Sequence, residues 1–175
     1  MVRIALTGGI ACGKSKVAEY LRDAGVDTLD ADDIVHEILP DAQERRRLAA
    51  EVFGNEEKRR ALEARLHPLV RARLDQWALA AGGGLKIEII PLLYETGWER
   101  AYDIVGCVKS PREVQIDRMM KSRGYTEEEA LSRIGAQMDV EEKAAKADFV
   151  IDNSGTLEAL RERTQEFVEF LKERT

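Results

Sequence analysis

The chain has 175 residues, 27 Lys and Arg against 33 Asp and Glu, and a net charge of -6. That length suits one domain with a substantial core, and the acidic balance excludes a protein built to coat nucleic acid, which needs a basic surplus. No apolar run approaches the ~20 residues of a membrane span. Val2 to Thr7 reads as a buried strand with no signal peptide before it, stopped by Gly8-Gly9. Apolar Val17, Ala18 and Leu21 predict a helix over Lys14 to Ala24, with Gly25 behind it. Val26 to Leu29 is a second strand, and Asp33 to Leu39 a helix stopped by Pro40. From Asp41 to Ala81 the chain is helical, with a stripe of Leu62, Leu66, Leu69, Val70, Leu74 and Trp77 broken locally at His67-Pro68 and ended by Gly82-Gly83-Gly84.

Strands follow over Lys86 to Ile90 and Asp103 to Val108. Ser110-Pro111-Arg112-Glu113 predicts a helix start with Ser110 as cap, and Thr126 to Glu129 a second capping box, opening a helix to about Met138. Asp148 to Ile151 is the last strand, and Leu157 to Leu171 the closing helix. Five strands alternating with helices imply an α/β fold with a mostly parallel sheet covered on both faces. Cys12 and Cys107 form no CxxC pair, which fits a reduced, cytoplasmic protein.

Gly8-Gly9-Ile10-Ala11-Cys12-Gly13-Lys14-Ser15, followed by Lys16, satisfies the phosphate-loop pattern GxxxxGK[ST]. Composition alone would supply roughly 0.003 such matches in a chain this long, and a strand before and a helix after agree with it. Glycines allow backbone N–H groups to converge on phosphate oxygens, and the helix aims its positive end at the same anion. Lys14 would reach the β- and γ-phosphates of ATP, and Ser15 would offer a hydroxyl to Mg²⁺. No Asn-Lys-x-Asp signature marks a guanine-specific site. Asn153-Ser154-Gly155 either lines the adenine pocket or is a simple turn.

Phosphoryl transfer also needs a carboxylate beside the attacking hydroxyl. Asp30 and Asp32 follow the second strand, where such a group belongs in an open parallel sheet. Capping the next helix is an equal reading, and spacing does not separate the two.

Thr7-Gly8-Gly9-Ile10 with Gly13-Lys14-Ser15, Asp30-Ala31-Asp32, Leu66-His67-Pro68-Leu69-Val70, Pro91-Leu92-Leu93-Tyr94-Glu95 and Ala147 to Asn153 together resemble the dephospho-CoA kinases, in order along nearly the whole chain. The resemblance implies a single P-loop kinase domain over 1–175, with a five-stranded parallel sheet, a helical acceptor lobe about 32–82 and a helical lid about 115–146. It implies ATP-dependent phosphorylation of the ribose 3′-hydroxyl of dephospho-CoA, a small-molecule substrate, with no nucleic-acid or membrane partner. Asp32 matches the catalytic carboxylate, with Thr7 and Asp30 nearby; His67, Pro91, Leu92 and Leu93 match the acceptor pocket. His36, four residues beyond Asp32, is the better read as structural.

Within the expected lid, Arg118 and Arg123 are the first candidates to meet the transferring phosphoryl group, ahead of Arg133, Gln137 and Lys143. A solvated charged helix pair would read similarly. The chain departs from the family at Ala11, where Gly is usual, at Cys12, where a small residue such as Ser is usual, and at Lys16, where Thr is common. Cys12 at a helix start is either a low-pKa thiol or an inert packed one. Part of the acceptor lobe is missing between Pro40 and Glu51. Glu88 is given no metal role. Two other readings remain at this level: a kinase of another small metabolite or nucleoside monophosphate, and a non-catalytic ATP- or CoA-binding protein.

Overall fold

A computed structural model describes residues 2–52, 54–80 and 84–175; Phe53 and Ala81 of the predicted helical block, and Gly82 and Gly83 of its predicted stop, lie outside the described residues. In chain order come β1 (Ile4–Gly8), α1 (Lys14–Asp23), β2 (Asp27–Asp30), α2 (Ala31–Ile38), α3 (Ala42–Val52) and α4 (Glu56–Leu79). They are followed by β3 (Lys86–Ile89), a 3-10 turn at Trp98–Ala101, β4 (Ile104–Lys109), α5 (Arg112–Arg123), α6 (Glu127–Gly135), α7 (Val140–Lys146), β5 (Phe149–Asp152) and α8 (Leu157–Lys172). Packing divides the chain into two compact units, Met1–Thr28 with Gly84–Thr175, and Leu29–Gly83.

The first unit is built on a five-stranded parallel sheet of order β2-β3-β1-β4-β5. β1 sets Ile4 opposite Ile87 of β3 on one side and Ile104 of β4 on the other; Gly106 of β4 sits opposite Phe149 of β5. Every residue of β1 is buried. Because successive strand residues point to opposite faces, both faces of the sheet are covered. α1 packs on α8, α8 on β5, and α7 on β1 and β4. The core gathers Leu6, Val17, Leu21, Ile89, Val108, Ile151, Leu160 and Phe167. With β1 at the centre, the loop leaving its carboxyl end opens where open parallel sheets bind ligands.

Two predicted helix starts turn out differently. Thr126 and Glu129 do form a reciprocal capping box. Ser110 does not cap α5: the N-cap is Pro111, and the Ser110 hydroxyl donates instead to the Asn153 carbonyl at 2.9 Å. A tertiary acceptor has won over the local one. The helix expected to reach Met138 stops at Gly135, and Asp139 opens α7 by accepting from the Glu141 N–H at 2.9 Å.

The second unit consists of the end of β2 and three helices, with α2 and α3 both packed on α4. The break expected at His67-Pro68 is absent, since α4 runs through Pro68. An interior proline costs about 3 kcal/mol, and packing along α4 offsets it. The buried line is Val70, Leu74 and Ala78, while Leu69 of the predicted stripe is 53% exposed. Arg73 reaches Glu37 of α2 at 3.4 Å.

Candidate active site

The loop between β1 and α1 has the torsions an anion cradle needs. Gly13 stands in the left-handed region (φ 94°, ψ 24°) at the N-cap of α1. Lys16 and Val17 N–H groups both return to the Gly13 carbonyl, at 3.0 and 3.1 Å, which starts the helix there. Each of the other described helices carries an acidic residue in its first turn, whereas α1 carries Lys14, Ser15 and Lys16 and no acid. The positive end of α1 is thus left for an external anion.

Ala11 is the described non-glycine residue with positive φ, at 56°. Its half-buried side chain and that of Ile10 pack against Met119, Ala130 and Ile134 of α5 and α6. The methyl group therefore has a packing role that the usual glycine would lack. Cys12 is fully buried, and burial pushes its thiol pKa up, with Lys14 only partly opposing. Of the two readings of this cysteine, the inert packed thiol is the one the site contains.

Several predicted residues meet around the loop. Lys14 Nζ donates to the Gly8 and Gly9 carbonyls at 3.1 and 2.8 Å. Arg118 reaches the Ala11 carbonyl at 3.2 Å and the Asn153 carbonyl at 3.0 Å. Asn153 donates from Nδ2 to the Cys12 carbonyl at 2.8 Å. Ser154 and Gly155 form the exposed turn that follows; the Ser154 hydroxyl, and then the Ser154 N–H at 2.8 Å, donate to Asp152 and hold its carboxyl below its usual pKa. Ser15 is exposed in the first turn of α1, and Lys16 pairs with Glu19 at 2.7 Å. Arg123, exposed at the end of α5, makes no described contact with the loop.

The segment after β3 forms the neighbouring wall. Thr7, fully buried at the end of β1, donates to the Pro91 carbonyl at 3.2 Å. The same carbonyl accepts from Lys143 Nζ at 2.8 Å, and Lys143 also pairs with Glu95 at 2.7 Å. Pro91 and Leu92 are half-buried, and Leu93 is fully buried. Burial pushes the Tyr94 hydroxyl up to about 12. Glu88 lies elsewhere, buried and bound by Arg3 at 2.8 Å and by the Tyr102 hydroxyl. It is a structural carboxylate.

Sequence reasoning passed over Gln115 and Glu95 as site residues and left Lys143 among the lid charges. Gln115 stands three residues before Arg118, so both can face the loop from one side of α5. That spacing was the available signal.

In the second unit, Asp30 is the N-cap of α2 and accepts from the Asp32 N–H at 2.9 Å. Asp32 is exposed in the first turn, and its carboxylate has no hydrogen-bond or ion-pair partner among the described residues. The capping task is filled by Asp30, which frees Asp32 from it. His36 is exposed and His67 half-buried on α4.

A central parallel strand, a phosphate loop and a helix start without acids define a P-loop phosphotransferase. The dephospho-CoA kinase family model matches residues 2–44 and 39–159. A dephospho-CoA kinase of Sulfurimonas denitrificans is 38% identical over 190 residues, covering 97% of this chain and 94% of that protein. A solved structure from Thermus thermophilus superimposes with a TM-score of 0.83 at 36% identity, covering 99% and 98% of the two chains. A dephospho-CoA kinase structure from Campylobacter jejuni gives 0.63 at 27% identity, covering 97% and 96%. The chain belongs to the dephospho-CoA kinase family. The two matched segments overlap at residues 39–44, and the 190 aligned positions exceed the 175 residues here, so the relative carries residues that this chain lacks.

Proposed function

We propose that this chain transfers the γ-phosphoryl group of ATP to the ribose 3′-hydroxyl of dephospho-CoA, giving coenzyme A and ADP, the last step of coenzyme A synthesis. The observation that carries the reading is the phosphate loop with its acid-free helix start, in a chain of this family. The 3′-oxygen attacks the γ-phosphorus, the bond from that phosphorus to the β–γ bridging oxygen breaks, and the hydroxyl proton passes to a carboxylate. Asp32 is the candidate base, because Asp30 already supplies the cap of α2.

Lys14 and the loop N–H groups hold the β- and γ-phosphates, and Arg118 and Arg123 offset the charge that develops on the phosphoryl oxygens. Thr7 and the Pro91-Leu92-Leu93 wall, with His67 and Asp30, take the acceptor side. The 32–82 helices serve as acceptor lobe and the 115–146 segment as lid. Among the described residues no cluster of three acidic, histidine or cysteine side chains could hold a metal by itself. Ser15, exposed at the helix start, suits a Mg²⁺ ion that keeps most of its water and is held largely by the triphosphate. When bound, that ion neutralises phosphate charge.

No described helix is long and apolar enough to cross a membrane; a cytoplasmic location is part of the proposal. The test is turnover of dephospho-CoA with MgATP, with phosphorus NMR locating the new phosphate on the 3′-oxygen. Saturable ATP binding without that product would refute the function and leave the fold standing.

A further inference from the structure

Five consecutive carbonyls of the phosphate loop accept hydrogen bonds from side chains. Lys14 takes those of Gly8 and Gly9. The next three are held by side chains of other elements: Ile10 by Gln115 Nε2 at 2.7 Å, Ala11 by Arg118 Nη1 at 3.2 Å, and Cys12 by Asn153 Nδ2 at 2.8 Å. Gln115 is 2% exposed and Asn153 5%, so these donors hold their bonds away from competing water. The anchors are themselves braced, since the Asn153 carbonyl accepts from both Ser110 Oγ (2.9 Å) and Arg118 Nη2 (3.0 Å).

The glycines make room for the donors. A Cβ on Gly13 would lie 2.3 Å from Asn153 Nδ2, and one on Gly9 would lie 2.7 Å from Gln115 Nε2. In a planar trans peptide the carbonyl of one residue and the N–H of the next point in opposite directions. Pinning the Ile10 carbonyl therefore turns the Ala11 N–H away from Gln115, and pinning that of Cys12 turns the Gly13 N–H away from Asn153. Neither N–H has a partner among the described residues, whereas Cys12 N–H between them closes the turn onto Gly9 at 3.3 Å.

We propose that Gln115 and Asn153 are positioning residues that aim the Ala11 and Gly13 N–H groups at the triphosphate before the nucleotide arrives. This rests on the reading of the loop as the ATP phosphate site and names what pre-forms it. Pre-organisation of this kind raises affinity by removing an ordering cost from the binding step. It acts on phosphate affinity more than on the chemical step.

The experiment titrates MgATP and inorganic tripolyphosphate into the full chain and its Gln115→Met and Asn153→Leu variants, which keep volume and lose the donor. Both affinities should weaken about tenfold in each folded variant, the scale of one unsatisfied buried carbonyl. KM for ATP should rise with kcat within a few-fold. In Gln115→Glu the carboxylate cannot donate at neutral pH, and affinity relative to wild type should recover as pH falls and the carboxyl gains its proton. A purely structural defect would not follow that profile. Folded variants that bind like wild type, or a Glu variant that matches wild type at every pH, overturn the proposal. A wild-type chain that binds neither probe overturns the phosphate-site reading beneath it.

Discussion

Lys143 Nζ lies 2.7 Å from Glu95 Oε1 although the lysine side chain is fully buried. The same glutamate oxygen accepts from the Met138 N–H at 2.9 Å, and the lysine also holds the Pro91 carbonyl at 2.8 Å. One charge pair thus ties α7 to the wall after β3 and to the turn ahead of α7. The Glu95 side chain is 22% exposed, so water can partly replace a missing lysine.

Lys143→Met should therefore lower stability by about 1–3 kcal/mol, the cost of unsatisfied buried groups, and less than the loss of a fully enclosed pair. Glu95→Gln in the same chain should recover part of that loss, because the stranded charge is gone. Urea unfolding of the two single variants and the double variant measures this. Strictly additive effects would show that the pair is not coupled.

Lys14→Ala should remove phosphoryl transfer while changing stability by only about 1 kcal/mol, since two hydrogen bonds to loop carbonyls go but no core side chain does. Turnover and thermal melting, measured on one preparation, separate the effects. Near-normal kcat in the folded variant would remove Lys14 from the phosphate site.

The phosphate loop was legible in sequence because its signal is local: glycine torsions, a helix start and the lysine lie within eight residues. The parallel sheet followed from the alternation of strands with helices, whereas its order, β2-β3-β1-β4-β5, came from the structure. What stayed hidden is tertiary. Ser110 has the sequence of a helix cap, yet its hydroxyl goes to Asn153, forty-three residues away. Pro68 reads as a break, yet packing carries α4 through it. Gln115 is marked only by its spacing from Arg118, since its partner is the carbonyl of Ile10, 105 residues away. For Cys12 the sequence offered both a low-pKa and a packed thiol, because a helix start lowers a thiol pKa and desolvation raises it, and its burial decides for the packed one.

Ala11→Gly should be nearly neutral. A non-glycine residue in the left-handed region costs about 1–2 kcal/mol. Glycine would relieve this, but loses about 0.5–1 kcal/mol through greater freedom in the unfolded chain. Removing the methyl packed near Met119 and Ile134 forfeits up to about 0.8 kcal/mol more. Denaturation midpoints should agree with a change smaller than about 1 kcal/mol. A large gain in stability would mean that the methyl packing contributes little.

Both cysteines should resist alkylation in the native protein. Burial raises the Cys12 thiol pKa, and Cys107 is pushed up to about 12 by burial and by Cys12 beside it. Near neutral pH both remain thiols, and the nucleophile is the thiolate. Iodoacetamide should label them only after denaturation, as read by mass spectrometry. Rapid native labelling of Cys12 would restore it as an oxidation candidate.

Asp30 and Asp32 should separate cleanly, because Asp30 caps α2 and Asp32 does not. Asp30 accepts the Asp32 N–H and holds the N-cap of α2, so Asp30→Ala should lower stability by about 1 kcal/mol, the usual cost of a lost cap. Asp32 is exposed and has no such bond, so Asp32→Asn should leave stability within about 0.5 kcal/mol. Its effect should fall on kcat, by about 10²-fold or more, since an amide keeps the size of the carboxylate but cannot take the ribose proton. ATP affinity should be unchanged in Asp32→Asn, because the proposed phosphate contacts all lie in the loop. Steady-state kinetics, ATP titration and melting of both variants give the full pattern. If Asp32→Asn keeps kcat within a few-fold while Asp30→Asn loses it, the base is Asp30, and the residue that caps the helix also takes the proton.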